Sequence, residues 1–223
     1  MAKDAYVHKV LPGKPGGPLL FVFHGTGGDE NQFLPLGRDF VPAATVISPR
    51  GDVSEFGATR FFRRTGEGVY DMDDLARATG KMVGFVEAHA ADAGASTVLG
   101  LGYSNGANIL ASALFARPSL FDAAVLMHPL IPFRPDISGS FAGRRVLVTA
   151  GRRDPIAPAD LTEQLAAGLR GGGADVTVEW HEGGHELRAN EIEMARSFLS
   201  EAAQRRPDPA VFRQSTDRTA NGR

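Results

Sequence analysis

The 223 residues contain no cysteine. That excludes a disulfide framework, a thiolate nucleophile and a cysteine-ligated zinc. Charge of one sign is also lacking. Lysine and arginine number 24 against 26 acidic residues, a net charge of −2 with no dominant basic block, so a phosphate-backbone partner and hence nucleic acid are not expected. No apolar run approaches the length of a membrane span, so no membrane partner is expected. Met1-Ala2-Lys3-Asp4-Ala5-Tyr6 leads into no apolar h-region; the expectation is no signal peptide and a cytoplasmic protein. There is no internal repeat. With 43% hydrophobic and 22% charged residues, the composition suits one globular domain with a full core. That domain is expected over residues 1–206, with 207–223 a polar, non-periodic and disordered tail.

What is present is organised around Gly102-Tyr103-Ser104-Asn105-Gly106. Residues 97–101 are apolar and β-branched and read as a buried strand, while 107–116 are rich in small residues and read as a helix. Strand, G-x-S-x-G, helix is the context of a nucleophile elbow. The chain must reverse sharply there. Side chains two positions either side of the serine would strike backbone, and both positions are glycine.

Around the elbow, short apolar runs alternate with helical patterns. Strands are predicted at 6–10 (an edge strand), 19–23, 45–48, 97–101, 123–127, 145–150 and 175–180, and helices at 31–40 (short and broken by Pro35), 71 onward, 107–116, 158–170 and 187–204. In the helix opened by Asp71, the residues Met72, Leu75, Thr79, Met82, Val83, Val86 and Ala90 share one face. This is an α/β pattern: a mostly parallel central sheet with helices on both faces. Ligands in such sheets bind beyond the carboxyl ends of the strands, where the polar residues of interest cluster.

A serine nucleophile requires a base and a group that orients the base, in the chain order Ser, Asp or Glu, His. His185 follows the last strand and precedes the last helix, after Gly183 and Gly184. Asp154 stands just beyond a strand, whereas Asp122, Asp160 and Asp175 fall on the wrong sides of their elements. The expected catalytic set is Ser104, Asp154 and His185. Two oxyanion donors are expected: the amide of Asn105, and that of Thr26 in His24-Gly25-Thr26-Gly27-Gly28, with Gly27 in reserve. Phe62, Arg63, His128, Leu130 and Ile156 are expected to contact substrate. In the 49–70 loop, Arg60 to Arg64 either hold an aromatic or carboxylate-bearing ester or form core contacts and ion pairs. Leu130, Ile131 and Phe133 either line the acyl side of the site or form a self-association patch, which would give a homodimer. The proline- and glycine-containing stretch 129–144 is too poor a helix former for a lid, so no large cap domain is expected.

HGTGGDE, RFFRR (60–64), GYSNGAN and AGRRDPIAP together resemble the phospholipase/carboxylesterase family, which includes acyl-protein thioesterases, and within it a bacterial subgroup linked to hydroquinone and quinone stress. The resemblance spans about residues 19–199. It implies the α/β-hydrolase fold, a carboxylesterase without cofactor or metal, a small-molecule ester as substrate, and the same Ser104, Asp154 and His185 assignment. HGTGGDE departs from the HG-x-GD usual in the thioesterase branch, which argues against thioesterase or lysophospholipase activity.

Two other classes compete. His181-Glu182-Gly183-Gly184-His185 spells the H-E-x-x-H of zinc peptidases, but that chemistry requires a helix. The motif follows a predicted strand, and two central glycines disfavour a helix by about 2 kcal/mol relative to alanines. A non-catalytic ligand-binding protein on a hydrolase scaffold is the other alternative.

Overall fold

The computed structural model describes residues 2–95, 97–137 and 139–205; the expected tail at 207–223 lies outside them. In chain order the elements are β1 (His8–Leu11), β2 (Leu19–Phe23), α1 (Leu34–Phe40), β3 (Thr45–Pro49), β4 (Val53–Glu55), β5 (Ala58–Arg60), β6 (Arg64–Gly66), β7 (Val69–Tyr70), α2 (Met72–Ala93), β8 (Val98–Tyr103), α3 (Asn105–Ala116), β9 (Ala123–Met127), β10 (Arg145–Gly151), α4 (Ala159–Gly171), β11 (Asp175–His181) and α5 (Ala189–Gln204).

Seven strands form one sheet in the order β1-β3-β2-β8-β9-β10-β11. β1 pairs antiparallel with β3, and every other pairing is parallel. The central strands are apolar throughout because both faces are covered. In β2 the period of two divides the side chains: Leu19, Phe21 and Phe23 join one core, with residues of α2, α3 and α4. Leu20 and Val22 join the other, with Phe40 of α1 and Phe198 and Leu199 of α5. This is the α/β-hydrolase fold. Among the described residues of 129–144 there is no helix, and no helix of the described residues is long and apolar enough to cross a membrane.

Local chemistry sets the element ends. Asp71 caps α2, its Oδ1 accepting from the Asp74 amide at 3.0 Å. Gly94 closes the helix at φ 57°. Three expectations are corrected. Met72 does not belong to the buried stripe; as the first residue of α2 it is exposed, and Ala78, Phe85 and His89 are buried instead. Pro35 does not break α1 but sits in its first turn, where its missing N–H costs nothing. The expected loop at 49–70 carries two antiparallel hairpins, β4–β5 and β6–β7. Strands of two or three residues are too short to write a period-two pattern into the sequence.

Candidate active site

Ser104 sits between β8 and α3 at φ 51° and ψ −118°, a region an L-residue seldom adopts. The elbow glycines permit the turn. A Cβ on Gly106 would lie 2.3 Å from the carbonyl oxygen of Phe23, and one on Gly102 would lie 2.5 Å from that of Gly106. The Ser104 amide donates to the Met127 carbonyl at 2.9 Å, which ties the elbow to β9.

Ser104 Oγ lies 2.9 Å from His185 Nε2, and His185 Nδ1 lies 2.7 Å from Asp154 Oδ2. An ionised carboxylate only accepts, so Nδ1 carries the hydrogen and Nε2 presents its lone pair to the serine hydroxyl. The other Asp154 oxygen accepts from the amides of Ile156 and Ala157 at 2.8 and 3.0 Å. Burial works against the Asp154 charge, but hydrogen bonds from His128, His185 and these amides outweigh it and hold the carboxyl well below the usual range. His185 is braced in turn: its carbonyl accepts from the Tyr103 hydroxyl at 2.7 Å. The structure thus links the three residues in series, from the ends of β8, β10 and β11.

Asn105 opens α3 and lines a cleft of about 260 Å³ together with Thr26, Leu130 and Ile156. Gly27 and Gly28 donate their amides to the carbonyls of Thr59 and Gly25, so the Gly27 reserve is committed elsewhere. The Thr26 hydroxyl accepts from Arg60 Nη1 at 2.7 Å. The glycine-rich loop is held from below by His24. Its Nε2 accepts from the Gly51 amide at 2.9 Å, its Nδ1 lies 2.8 Å from the Gly25 carbonyl, and burial holds it below the usual histidine range.

Three expected substrate contacts are corrected. Phe62 is fully buried, edge-on to Tyr70 at 4.8 Å between ring centroids, because its ring completes the core. Arg63 is not among the residues that line the cleft and pairs with Asp71 and Asp74 at 3.1 and 3.4 Å. His128 is fully buried behind Asp154, with its Nδ1 2.9 Å from Asp154 Oδ2. The cleft wall is formed by Arg60, Arg64, Glu67, Tyr70 and Asn108. Of the two alternatives for Arg60 to Arg64, the structure contains the ion pairs: Arg64 with Glu55 and Glu67, and Arg60 with Glu55 at 3.6 Å. Of the three apolar residues, Leu130 lines the cleft, whereas Ile131 is buried in the core and Phe133 packs against it.

Asn108 and Tyr70 were not expected. Asn108 Oδ1 accepts from the Leu130 amide at 2.7 Å, and its Nδ2 donates to the Tyr70 hydroxyl at 2.9 Å; that hydroxyl donates to the Leu130 carbonyl at 2.6 Å. The available signal is an asparagine one turn into a helix made mostly of small and apolar residues.

H-E-x-x-H does not lie on a helix. His181 ends β11, Glu182 is exposed and pairs with Arg152 at 3.4 Å, and the glycines form a turn. His181 Nδ1 accepts from the Gly183 amide at 2.9 Å. Its hydrogen is therefore on Nε2, the atom that faces the neighbouring His128, and that atom offers a metal no lone pair.

A family model described as the dienelactone hydrolase family matches residues 69–206. The chain is 41% identical over 188 residues to the Bacillus subtilis (strain 168) protein named "Putative hydrolase MhqD", covering 82% of this chain and 93% of that one. Among solved structures, a Bacillus cereus carboxylesterase is 38% identical with a TM-score of 0.83, covering 88% of this chain and 94% of the other. A protein of unknown function from Agrobacterium tumefaciens is 58% identical with a TM-score of 0.87, covering 91% and 99%.

Proposed function

The chain belongs to the dienelactone hydrolase family and is a carboxylic ester hydrolase, and from that premise we propose that it cleaves small carboxylic esters through an acyl-enzyme on Ser104. The observation that carries this reading is the unbroken series Ser104 Oγ, His185, Asp154, with links of 2.9 and 2.7 Å. His185 Nε2 takes the hydroxyl proton as Ser104 attacks the ester carbonyl. Asp154 holds the ring in the required tautomer and stabilises the imidazolium that forms. The tetrahedral oxyanion is received by the Asn105 amide at the start of α3, where the helix dipole adds to the hydrogen bond, and by the Thr26 amide. His185 then returns its proton to the departing alcohol, and water resolves the acyl-enzyme by the same base.

The acyl group would lie against Leu130 and Ile156, with the polar wall of Arg64, Glu67 and Tyr70 opposite. A cleft of about 260 Å³ suits a small ester better than a long acyl chain. Pre-steady-state hydrolysis of a chromogenic aryl ester tests the proposal. The expectation is a burst of one alcohol equivalent per active site, absent from Ser104→Ala. Linear release with no burst, together with a Ser104→Ala variant as active as the parent, would overturn it.

A further inference from the structure

Behind Asp154 lies a second polar group that the proposed reaction does not use. His128 is fully buried between two fully buried carboxylates. Its Nδ1 is 2.9 Å from Asp154 Oδ2, the same oxygen that His185 engages, and its Nε2 is 3.0 Å from Glu191 Oε1. The other Glu191 oxygen accepts from the Arg188 amide at 2.8 Å and lies 3.1 Å from His181 Nε2. His128 also holds a φ of 50°. That conformation is uncommon for any residue with a Cβ, though histidine tolerates it better than most. Here the His128 amide donates to the Thr149 carbonyl at 2.8 Å.

Each ring nitrogen of His128 thus lies within 3.0 Å of a carboxylate oxygen, aligned for a hydrogen bond at Asp154 and off-axis at Glu191. A nitrogen without hydrogen would turn its lone pair on an anion at 3 Å, in a site closed to water, where such a repulsion is weakly screened. With a hydrogen on both, one cation neutralises one of two buried anions. We propose that His128 is a positioning residue, an imidazolium bridging Asp154 and Glu191 that aims the Asp154 carboxylate at His185 and sets a fixed positive charge behind the base. The proposal rests on the Ser104–His185–Asp154 reading. Burial opposes the extra proton, but the two carboxylates outweigh it and push His128 up to about 9.

The consequence for catalysis is electrostatic. The His128 and His185 rings are 5.1 Å apart between centroids. A permanent positive charge at that distance offsets part of the negative charge that Asp154 and Glu191 place behind the base. The groups facing His128 are Asp154 after β10, Glu191 of α5, His181 of β11, His185 of the following loop and Tyr103 of β8, its ring 5.9 Å away. The His181 Nε2, at 3.4 Å from His128 Nε2, defines the rival arrangement: a neutral His128 accepting the His181 hydrogen.

Ring-nitrogen NMR on ¹⁵N-histidine-labelled full-length protein, with His128→Gln for assignment, decides between them without reference to turnover. At pH 7.5 the expected signature is an imidazolium at His128 and an Nε2–H tautomer at His181. A neutral His128 with a bare Nε2 would overturn the proposal. The kinetic arm uses opposite charge changes. In the kcat/KM profile, His128→Gln should move the acid limb to higher pH and Glu191→Gln to lower pH, each by about half a unit or more. A neutral His128 would make His128→Gln a charge-neutral change, so coincident limbs in parent and folded His128→Gln would overturn the proposal; if that variant does not fold, the parent's own NMR signature, assigned through Glu191→Gln, decides. Loss of the serine reading would appear elsewhere, as activity surviving in Ser104→Ala, while the NMR result would stand.

Discussion

The polar residues behind Ser104 and those in front of it are built on different principles. Behind, Asp154, His128 and Glu191 are fully buried, and each Asp154 oxygen has two partners. In front, Arg64 and Glu67 sit on a short hairpin, and their pairs are partly exposed to water. Buried polar contacts between charged groups have few alternative arrangements and are costly to break. Exposed pairs exchange at little cost, typically below about 1 kcal/mol. The difference places reaction geometry on rigid strand ends and leaves substrate fit to an adjustable rim.

The largest predicted effect lies at the boundary between the two regions. Ser104→Ala should lower kcat by about 10⁶ with an unchanged circular dichroism spectrum. Next, Asp154→Asn should cost about 10⁴ in kcat, whereas Asp160→Asn, at an exposed position in the first turn of α4, should leave the rate intact. An equal loss in both would erase the distinction between buried orienting carboxylate and surface charge. In front, Arg64→Ala should change KM by no more than about tenfold, about 1.4 kcal/mol, with kcat little altered. A loss of kcat as large as that of Asp154→Asn would show that the rim is part of the reaction geometry.

Stability against pH sharpens the comparison further. Asp154 is held low, so its contribution is present above the unfolded carboxyl range and is lost as pH falls through its folded value. His128 is held high, so its contribution is complete below 6.5 and is lost as pH rises through about 9. Thermal unfolding of the parent should therefore show a decline in Tm between pH 7 and 10 that His128→Gln removes. A parallel decline in both would contradict the buried cation. The smallest effect is a negative one. With no helix among the described residues of 129–144, turnover of a sparingly soluble ester should show no jump as substrate passes its solubility limit. A sharp rise there would mean that a mobile cover exists.

The fold and the Ser104, Asp154, His185 order were legible because they depend on local signals: apolar runs, elbow glycines, and polar residues placed just after strands. The rim was not. Arg60 to Arg64 could be read as a unit in sequence, yet Arg60 and Arg64 reach the cleft while Phe62 fills the core and Arg63 pairs with α2. Hairpins of two or three residues leave no period from which to read that phase. The sequence shows His128 at a strand end but not as a buried bridge, because its partner Glu191 lies 63 positions further on, in a helix whose other acidic residues face water. Only the sheet order, with β9, β10 and β11 side by side, brings them together.

The central claim is that Ser104 is the nucleophile and is activated by His185. Labelling with a fluorophosphonate, followed by peptide mass spectrometry to locate the adduct, tests it most directly. The account predicts a single adduct on Ser104, absent from Ser104→Ala and formed far more slowly in His185→Gln. An adduct on another residue, or labelling of Ser104 at an undiminished rate in His185→Gln, would contradict it.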